Sequence, residues 1–246
     1  MFRAAILGFA AVLFMLASLP PPSIAGVYGA YLIRQCTSEE DVSDEQRILA
    51  CTSVLSKYQG SDEVPYLLLA RGLSYERVGK LEKARDDFEG AIKLKNNFVD
   101  AWTAYGNVMQ KLGVSGYPLI AYDAALKLNP HNGEALNNSC WARATLGVAL
   151  DAALAMCNEA LDIKANDPVT LDSRCLLRFR LSDYANAIAD CDAALKLRPR
   201  APSTLYVRGL AKIRLGYVEM GNVDIAAARA LDSKIADTIS GFGVKP

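Results

Sequence analysis

Five positions recur along this chain at an almost constant interval. Gly79, Gly113, Gly147, Ser182 and Gly216 lie 34, 34, 35 and 34 residues apart. Ala91, Ala125, Ala160, Ala194 and Ala228 lie 34, 35, 34 and 34 residues apart. The extra residue follows Gly147 in the first series and precedes Ala160 in the second, so one insertion sits within VALDAA at 148–153. A period of this length restricts the chain to a stack of like supersecondary units, each covered by its neighbours because none can bury its apolar face alone.

Each unit reads as two helices. In the first, PYLLLARGLSYERVG (65–79) sets Leu68, Gly72 and Tyr75 four and three residues apart, the spacing of one helical face. Gly79 closes that helix, because glycine takes a left-handed conformation without a Cβ penalty. KLEKARDDFEGAIKL (80–94) then aligns Ala84, Phe88, Ala91 and Ile92. Small Gly72 and Ala84 let the two helices approach, and Phe88 fills the space beside them. The second unit repeats this with Trp102, Gly106 and Met109, then Tyr122 and Ala125. Pro118 stands where the other units have Ala84, Ala153, Ala187 and Gly221, so a late start is expected for that helix. The third and fourth units keep Leu136 and Leu171 and place Cys140 and Cys175 at the close-approach position, and the fifth has Leu205, Gly209, Gly221 and Ile225. A composition that is 52% hydrophobic but only 8% aromatic suits packed helices better than a β-sandwich.

The pattern resembles the tetratricopeptide repeat, W-x2-L-G-x2-Y, then A-x3-F, then P. The residues that carry the likeness are AWTAYGNVM (101–109), ARDDF (84–88) and LKLNP (126–130), and it extends over 65–235. In the fifth unit Ser233 replaces the closing proline. The resemblance implies an all-α fold, a right-handed α-solenoid of about five helix pairs at 65–98, 99–132, 133–167, 168–201 and 202–235. An N-terminal segment, 26–64, adds one half-repeat helix opened by a capping box at SDEQ (43–46), and a capping helix closes the array at 236–246.

The first 25 residues differ from the rest. Arg3 precedes the uncharged run AAILGFAAVLFMLAS, and PPPSIAG follows, with small residues at the cleavage-type positions around Ala25. This reads as a secretory signal peptide over 1–25. The run of ~16 residues falls short of the ~20 that span a bilayer; the alternative is an uncleaved membrane anchor. An exported chain meets an oxidising space, where six cysteines form a candidate disulfide set. Cys157 and Cys191 take the slot of Phe88 and Tyr122, while Cys140 and Cys175 take that of Gly72 and Gly106. Opposed inner faces of one hairpin bring Cα atoms close enough to bridge. The register predicts Cys140–Cys157 and Cys175–Cys191, and leaves Cys36–Cys51. Buried free thiols are the bland alternative, and a zinc site lacks a C-x2-C pair or a Cys/His cluster. The style of RGLAKIRLG and CDAALKLRP resembles exported repeat proteins of Gram-negative bacteria, which points to the periplasm.

Basic and acidic residues number 27 each, and no basic stripe is present, so nucleic acid is not an expected partner. The one histidine, His131, lies in the NPHNG turn between units and reads as a solvated residue. No phosphate loop or dinucleotide fingerprint occurs, and EED (39–41) and RDD (85–87) read as solvated faces. The chain is therefore read as non-enzymatic, with no catalytic residue, cofactor or metal. A thiol-dependent enzyme is the residual enzymatic alternative, against which gaps of 15–17 residues between paired cysteines argue.

The resemblance implies a concave groove lined by first helices. Residues one step round from the core stripe are Asn107 and Lys111 in the second unit and Asn137, Asn138 and Trp141 in the third. The fourth unit offers Asp172, Phe179 and Arg180, and the fifth Tyr206 and Arg214. Amides beside aromatics suit an extended peptide or protein segment; Trp141 has the second reading of packing between repeats. Chaperone-binding members of the family hold a terminal carboxylate with lysines, but Thr103 and Glu134 stand at two of those places, so that clamp is not expected. A membrane partner enters only if the leader stays uncleaved. The alternative function is a scaffold or assembly subunit of an envelope complex that uses its convex face or ends.

Overall fold

The computed structural model describes residues 24–37, 42–57, 61–114 and 116–244. Of the stretch 1–25 read as a signal peptide, residues 1–23 lie outside the described residues. The described residues form thirteen helices and no strand. They run as six antiparallel pairs: α1 (Ile24–Thr37) with α2 (Asp44–Lys57), α3 (Val64–Arg77) with α4 (Leu81–Leu94), α5 (Val99–Lys111) with α6 (Tyr117–Leu128), α7 (Gly133–Leu146) with α8 (Leu150–Ile163), α9 (Pro168–Arg180) with α10 (Tyr184–Leu197), and α11 (Pro202–Arg214) with α12 (Val218–Leu231). A thirteenth helix, α13 (Ile235–Gly241), follows.

Each first helix touches the next first helix, from α1·α3 through α9·α11, whereas no second helix touches the next second helix among the described residues. The stack therefore bends toward the odd-numbered helices, and these line its concave wall. The N-terminal segment corrects one expectation: it holds a full pair rather than a single helix. SDEQ does open α2, with the Ser43 hydroxyl accepting from Gln46 N at 3.2 Å and Ser43 N donating to Gln46 Oε1 at 3.3 Å. The missed helix, α1, begins inside the stretch read as the leader, and its IAGVYGAYLIRQCT carries no acidic residue in its first turn to mark a start.

The same slot is closed in three ways along the stack. In the first two repeats a ring from the second helix lies over a glycine: a Cβ on Gly72 would stand 2.5 Å from Phe88, and one on Gly106 would stand 2.4 Å from Tyr122. In the next two repeats the slot holds a disulfide, Cys140–Cys157 with Cα atoms 5.6 Å apart and Cys175–Cys191 at 5.4 Å. In the fifth, Gly209 and Gly221 bring backbone against backbone. Cys36 at the end of α1 joins Cys51 on α2, with Cα atoms 4.8 Å apart. Each bridge closes a loop of about 15 residues, worth about 3 kcal/mol in the chain-entropy account.

The turns explain the departures from strict periodicity. Gly79, Gly113, Gly147 and Gly216 all take positive φ, and Ser182 takes +61° in the same place. The inserted residue sits in the turn Val148-Ala149, where Ala149 is also left-handed at φ +46° and α8 starts one residue late. α6 starts at Tyr117 with Pro118 in its first turn.

A periodic feature that sequence reading missed lies on the outer side. Arg71 pairs with Asp87, Arg174 with Asp190 and Arg208 with Asp224, each 16 residues apart and each held by two hydrogen bonds of 2.6–2.8 Å. Each arginine also reaches the preceding hairpin, at Thr52, Asn158 and Asp192. The three pairs fall at one register of the repeat. Tyr105/Ala121 and Ser139/Met156 replace them in the second and third units, and that gap hides the series from inspection.

Candidate functional site: the concave wall

The wall divides into two halves of different chemistry. In the first, Lys111 on α5 pairs with Glu76 on α3 at 2.9 Å. Asn107 Oδ1 accepts from the Tyr122 hydroxyl at 2.9 Å and from Asn138 Nδ2 at 2.8 Å, while its own Nδ2 donates to Glu134 at 3.0 Å. Asn138 Oδ1 accepts from Asn137 Nδ2 at 3.0 Å, and Asn137 Oδ1 accepts from the Ser173 hydroxyl at 2.9 Å. One hydrogen-bonded row thus crosses α5, α7 and α9. Burial pushes the Tyr122 hydroxyl pKa up, and the Glu134 and Glu76 carboxylates push it the same way, so the phenol stays a donor. Asn137 is buried within the row, whereas Asn107 and Asn138 are half-buried and Lys111 is exposed. Beside the row lies a cleft of about 370 Å³, lined in part by Glu134, Asn137, Asn138, Lys164, Asp167 and Thr170. Burial raises the Asp167 carboxyl, but Lys164 at 2.7 Å and the Thr170 amide and hydroxyl outweigh it and hold it below its ordinary value. Glu134 sits where a carboxylate clamp needs a cation, and its charge faces the Asn107 amide.

The second half is apolar and covered. Leu176, Phe179, Tyr206 and Leu210 are buried, with Tyr206 only 1% exposed. What covers them is the chain's own end. α13 packs on α11 and α12, and Ile235, Ile239 and Val244 join the core cluster that contains Tyr206 and Leu210. The Phe242 ring meets Trp141 edge-on, with centroids 5.5 Å apart at 80°. Arg180 Nη1 donates to the Thr145 carbonyl at 3.1 Å and also to the Phe242 carbonyl. That guanidinium has room because residue 147 is glycine. A Cβ there would stand 2.2 Å from Arg180 Nη2, and φ at Gly147 is +74°, a conformation disfavoured for L side chains. A further cleft of about 370 Å³ remains between Phe242 and Gln110, Pro118, Thr145 and Leu146.

Several groove residues proposed from sequence therefore need correction. Trp141, Phe179, Arg180 and Tyr206 are on first helices but do not form an open surface: Phe242 meets Trp141 and Arg180, Phe179 packs on Tyr184, and Tyr206 is buried on α11, against which α13 packs. Trp141 meets the tail, a third possibility beside peptide contact and inter-repeat packing. Asp172 is half-buried and engaged within the wall. It accepts from the Thr204 hydroxyl at 2.5 Å and the Ser203 hydroxyl at 3.4 Å, bracing α9 to α11. Burial pushes its carboxyl up, and those hydroxyls and Arg198 only partly offset this. Arg214 is exposed at the end of α11. The tail was expected over the last repeat; no periodicity marks its return to the wall, and the pattern I-x3-I-x2-F-G-V is its only sequence signal.

All six cysteines are paired and fully buried, which leaves no accessible sulfur for thiol chemistry. His131, in the turn before α7, lies 2.6 Å from Glu159 at the surface. Among the described residues no group of three or more His, Cys, Asp or Glu could hold a metal ion, and no helix is long and apolar enough to cross a membrane.

The model of the tetratricopeptide repeat matches residues 65–98. Over 79 residues, 32% of this chain, the sequence is 33% identical to the tetratricopeptide repeat domain-containing protein PYG7, chloroplastic, of Arabidopsis thaliana. The match spans 26% of that relative's length. Among solved structures, a tetratricopeptide repeat protein from Parabacteroides merdae is similar with a TM-score of 0.68 at 17% identity, covering 88% of each chain. YrrB, described as such a protein with an unusual peptide-binding site, is similar with a TM-score of 0.59 at 16% identity, over 75% of this chain and 93% of its own. Both structural likenesses are of fold.

Proposed function

We propose that this chain, whose residues 65–98 match the tetratricopeptide repeat and whose fold is that of tetratricopeptide-repeat proteins, binds a protein or extended peptide along the open, polar half of its concave wall, outside the cytoplasm. The fold is that of a protein–protein interaction scaffold, generally without enzymatic activity. The observation that carries the reading is the row Asn107–Asn138–Asn137–Ser173. Side-chain amides fixed by one another present their remaining donors and acceptors in one orientation, which lowers the ordering cost of pairing with a peptide backbone. Lys111 adds an exposed cation at one edge. The existence of a peptide site in YrrB supports the assignment by analogy of fold alone. The leader at 1–25 and the three buried bridges support a periplasmic location, with membrane attachment if the leader stays uncleaved.

The scaffold reading has an observation of its own. At the start of α12, the capping residue Tyr217 and the helical Met220 and Val223 are exposed apolar residues, with Val223 at 68%. A photoreactive residue at Asn138 and another at Met220, introduced separately in the native envelope, separates the two. Crosslinking of one extended polypeptide from position 138, absent from position 220, is the expected result. Crosslinks from position 220 alone would replace the groove by the convex face. Peptide mapping without reduction is expected to recover Cys36–Cys51, Cys140–Cys157 and Cys175–Cys191, and unmodified thiols in the exported protein would remove the compartment assignment.

A further inference from the structure

We infer that the apolar half of the wall is a second peptide site whose resident ligand is the chain's own segment 235–244, and that it accepts from a partner only a segment of the same chemistry: a short helix bearing two aliphatic residues, followed by an aromatic residue, a glycine and an aliphatic residue. The inference rests on the concave-wall reading and specifies a different part of it.

The contacts have the two components of a peptide site. Main-chain recognition comes from Arg180, which holds the floor of the groove through the Thr145 carbonyl and the incoming segment through the Phe242 carbonyl. Side-chain recognition comes from Trp141 for the aromatic ring and from α11 and α12 for the helix, with Ile235, Ile239 and Val244 buried in the core cluster that also holds Tyr206 and Leu210. Gly243 fits because its φ is +71°, a backbone conformation that L side chains rarely adopt. The hydrogen bonds that close its last turn are internal, Phe242 N to Ile239 O and Gly243 N to Ser240 O, so they travel with it when it departs. Phe242 is only half-buried, and the cleft beyond it extends to Gln110 and Pro118, so the tail fills part of the space and a larger aromatic side chain has room.

Tethering sets the affinity a competitor must reach. A segment joined to its own site by a short linker acts at an effective concentration of order 1 mM. A free peptide with an intrinsic Kd near 10 μM is then weakened on the order of 100-fold in the intact chain.

The test uses the full chain and a labelled synthetic peptide of residues 233–246, with binding followed by fluorescence anisotropy. The native chain is expected to bind the peptide weakly, and the Phe242→Asp chain at least about 10-fold more tightly. Peptide carrying Phe242→Asp is expected not to bind, and adding Arg180→Gln to the Phe242→Asp chain is expected to abolish the gain. Equal binding by the native and Phe242→Asp chains, both with native helicity, overturns the inference. Should Phe242→Asp lose helicity, Phe242→Ala in the full chain is read against the same two outcomes. Failure here with crosslinking from Asn138 intact removes the second site and leaves the polar groove standing; the reverse pattern removes the polar groove alone.

Discussion

Two halves of one concave wall, built from the same kind of helix, satisfy their side chains by different means. From α3 to α7 the wall is polar, and its amides satisfy one another: Asn107, Asn138 and Asn137 form a continuous hydrogen-bonded row. From α9 to α11, together with Trp141 of α7, it is apolar, and a stretch of the chain 62 residues beyond Arg180 in sequence returns to cover it. A row of paired amides tolerates water and remains available to a ligand. A surface made of Trp141, Phe179, Tyr206 and Leu210 is too large an apolar patch to leave bare. The cover thus matches the apolar composition of that half, and among the described residues no segment lies over the polar row in the same way.

The strongest way to break this comparison is to reduce the bridges. Cys140–Cys157 and Cys175–Cys191 lie in neighbouring hairpins, so reduction removes about 3 kcal/mol from each. Segment-resolved hydrogen exchange should show α7–α10 opening well before α3–α6, whose hairpins are closed by Phe88 and Tyr122. Next in size, Tyr206→Ala should cost about 3–5 kcal/mol by denaturant unfolding and should abolish exchange protection across 235–244. Lys111→Ala, on the open half, should cost no more than about 1 kcal/mol and leave that protection untouched. Asn107→Ala removes the acceptor of the Asn138 amide and leaves the Tyr122 hydroxyl only its longer bond to Gln110, at 3.3 Å. A loss of about 1–3 kcal/mol is expected, with weaker capture at position 138 and no change in the tail.

The smallest effect is a pH dependence of opposite sign at two carboxylates. Folding raises the Asp172 pKa, chiefly through burial, so the folded chain holds a proton that the unfolded chain has released. Its contribution therefore falls as pH rises from about 3.9 through the raised value. Asp172→Asn should be more stable than the native chain at pH 7, an advantage that vanishes by pH 3. At Asp224 burial acts upward, but Arg208 and Lys212 outweigh it and lower the pKa. Its stabilisation is present above about 3.9 and disappears as pH falls through the lowered value. Asp224→Asn should consequently destabilise at pH 7, and thermal unfolding of both variants across pH 3–7 checks the pair.

What could be read in advance follows from what repetition encodes. Glycines at a fixed interval specify left-handed turns, and a small residue facing a ring or a thiol specifies hairpin closure, because both constraints are local to one unit. Ser182 could be placed in the glycine series by spacing alone, and it does take positive φ. The disposition of Trp141 and Tyr206 could not be read that way, since it depends on where a non-repeating tail lands. α1 was hidden for a related reason: its apolar residues merge with those of the leader. The Arg/Asp series at 71/87, 174/190 and 208/224 was present in the same register as the glycines and needed only comparison of charged positions, but two consecutive units lack it.

The most direct test of a self-covered wall is a nuclear Overhauser experiment on the intact, oxidised chain, read between the indole protons of Trp141 and the ring protons of Phe242. With centroids 5.5 Å apart, cross-peaks between the two side chains are predicted, with slowed exchange at the amides of 242–244. Narrow, random-coil resonances for 242–244 and no contact to Trp141 would contradict the account.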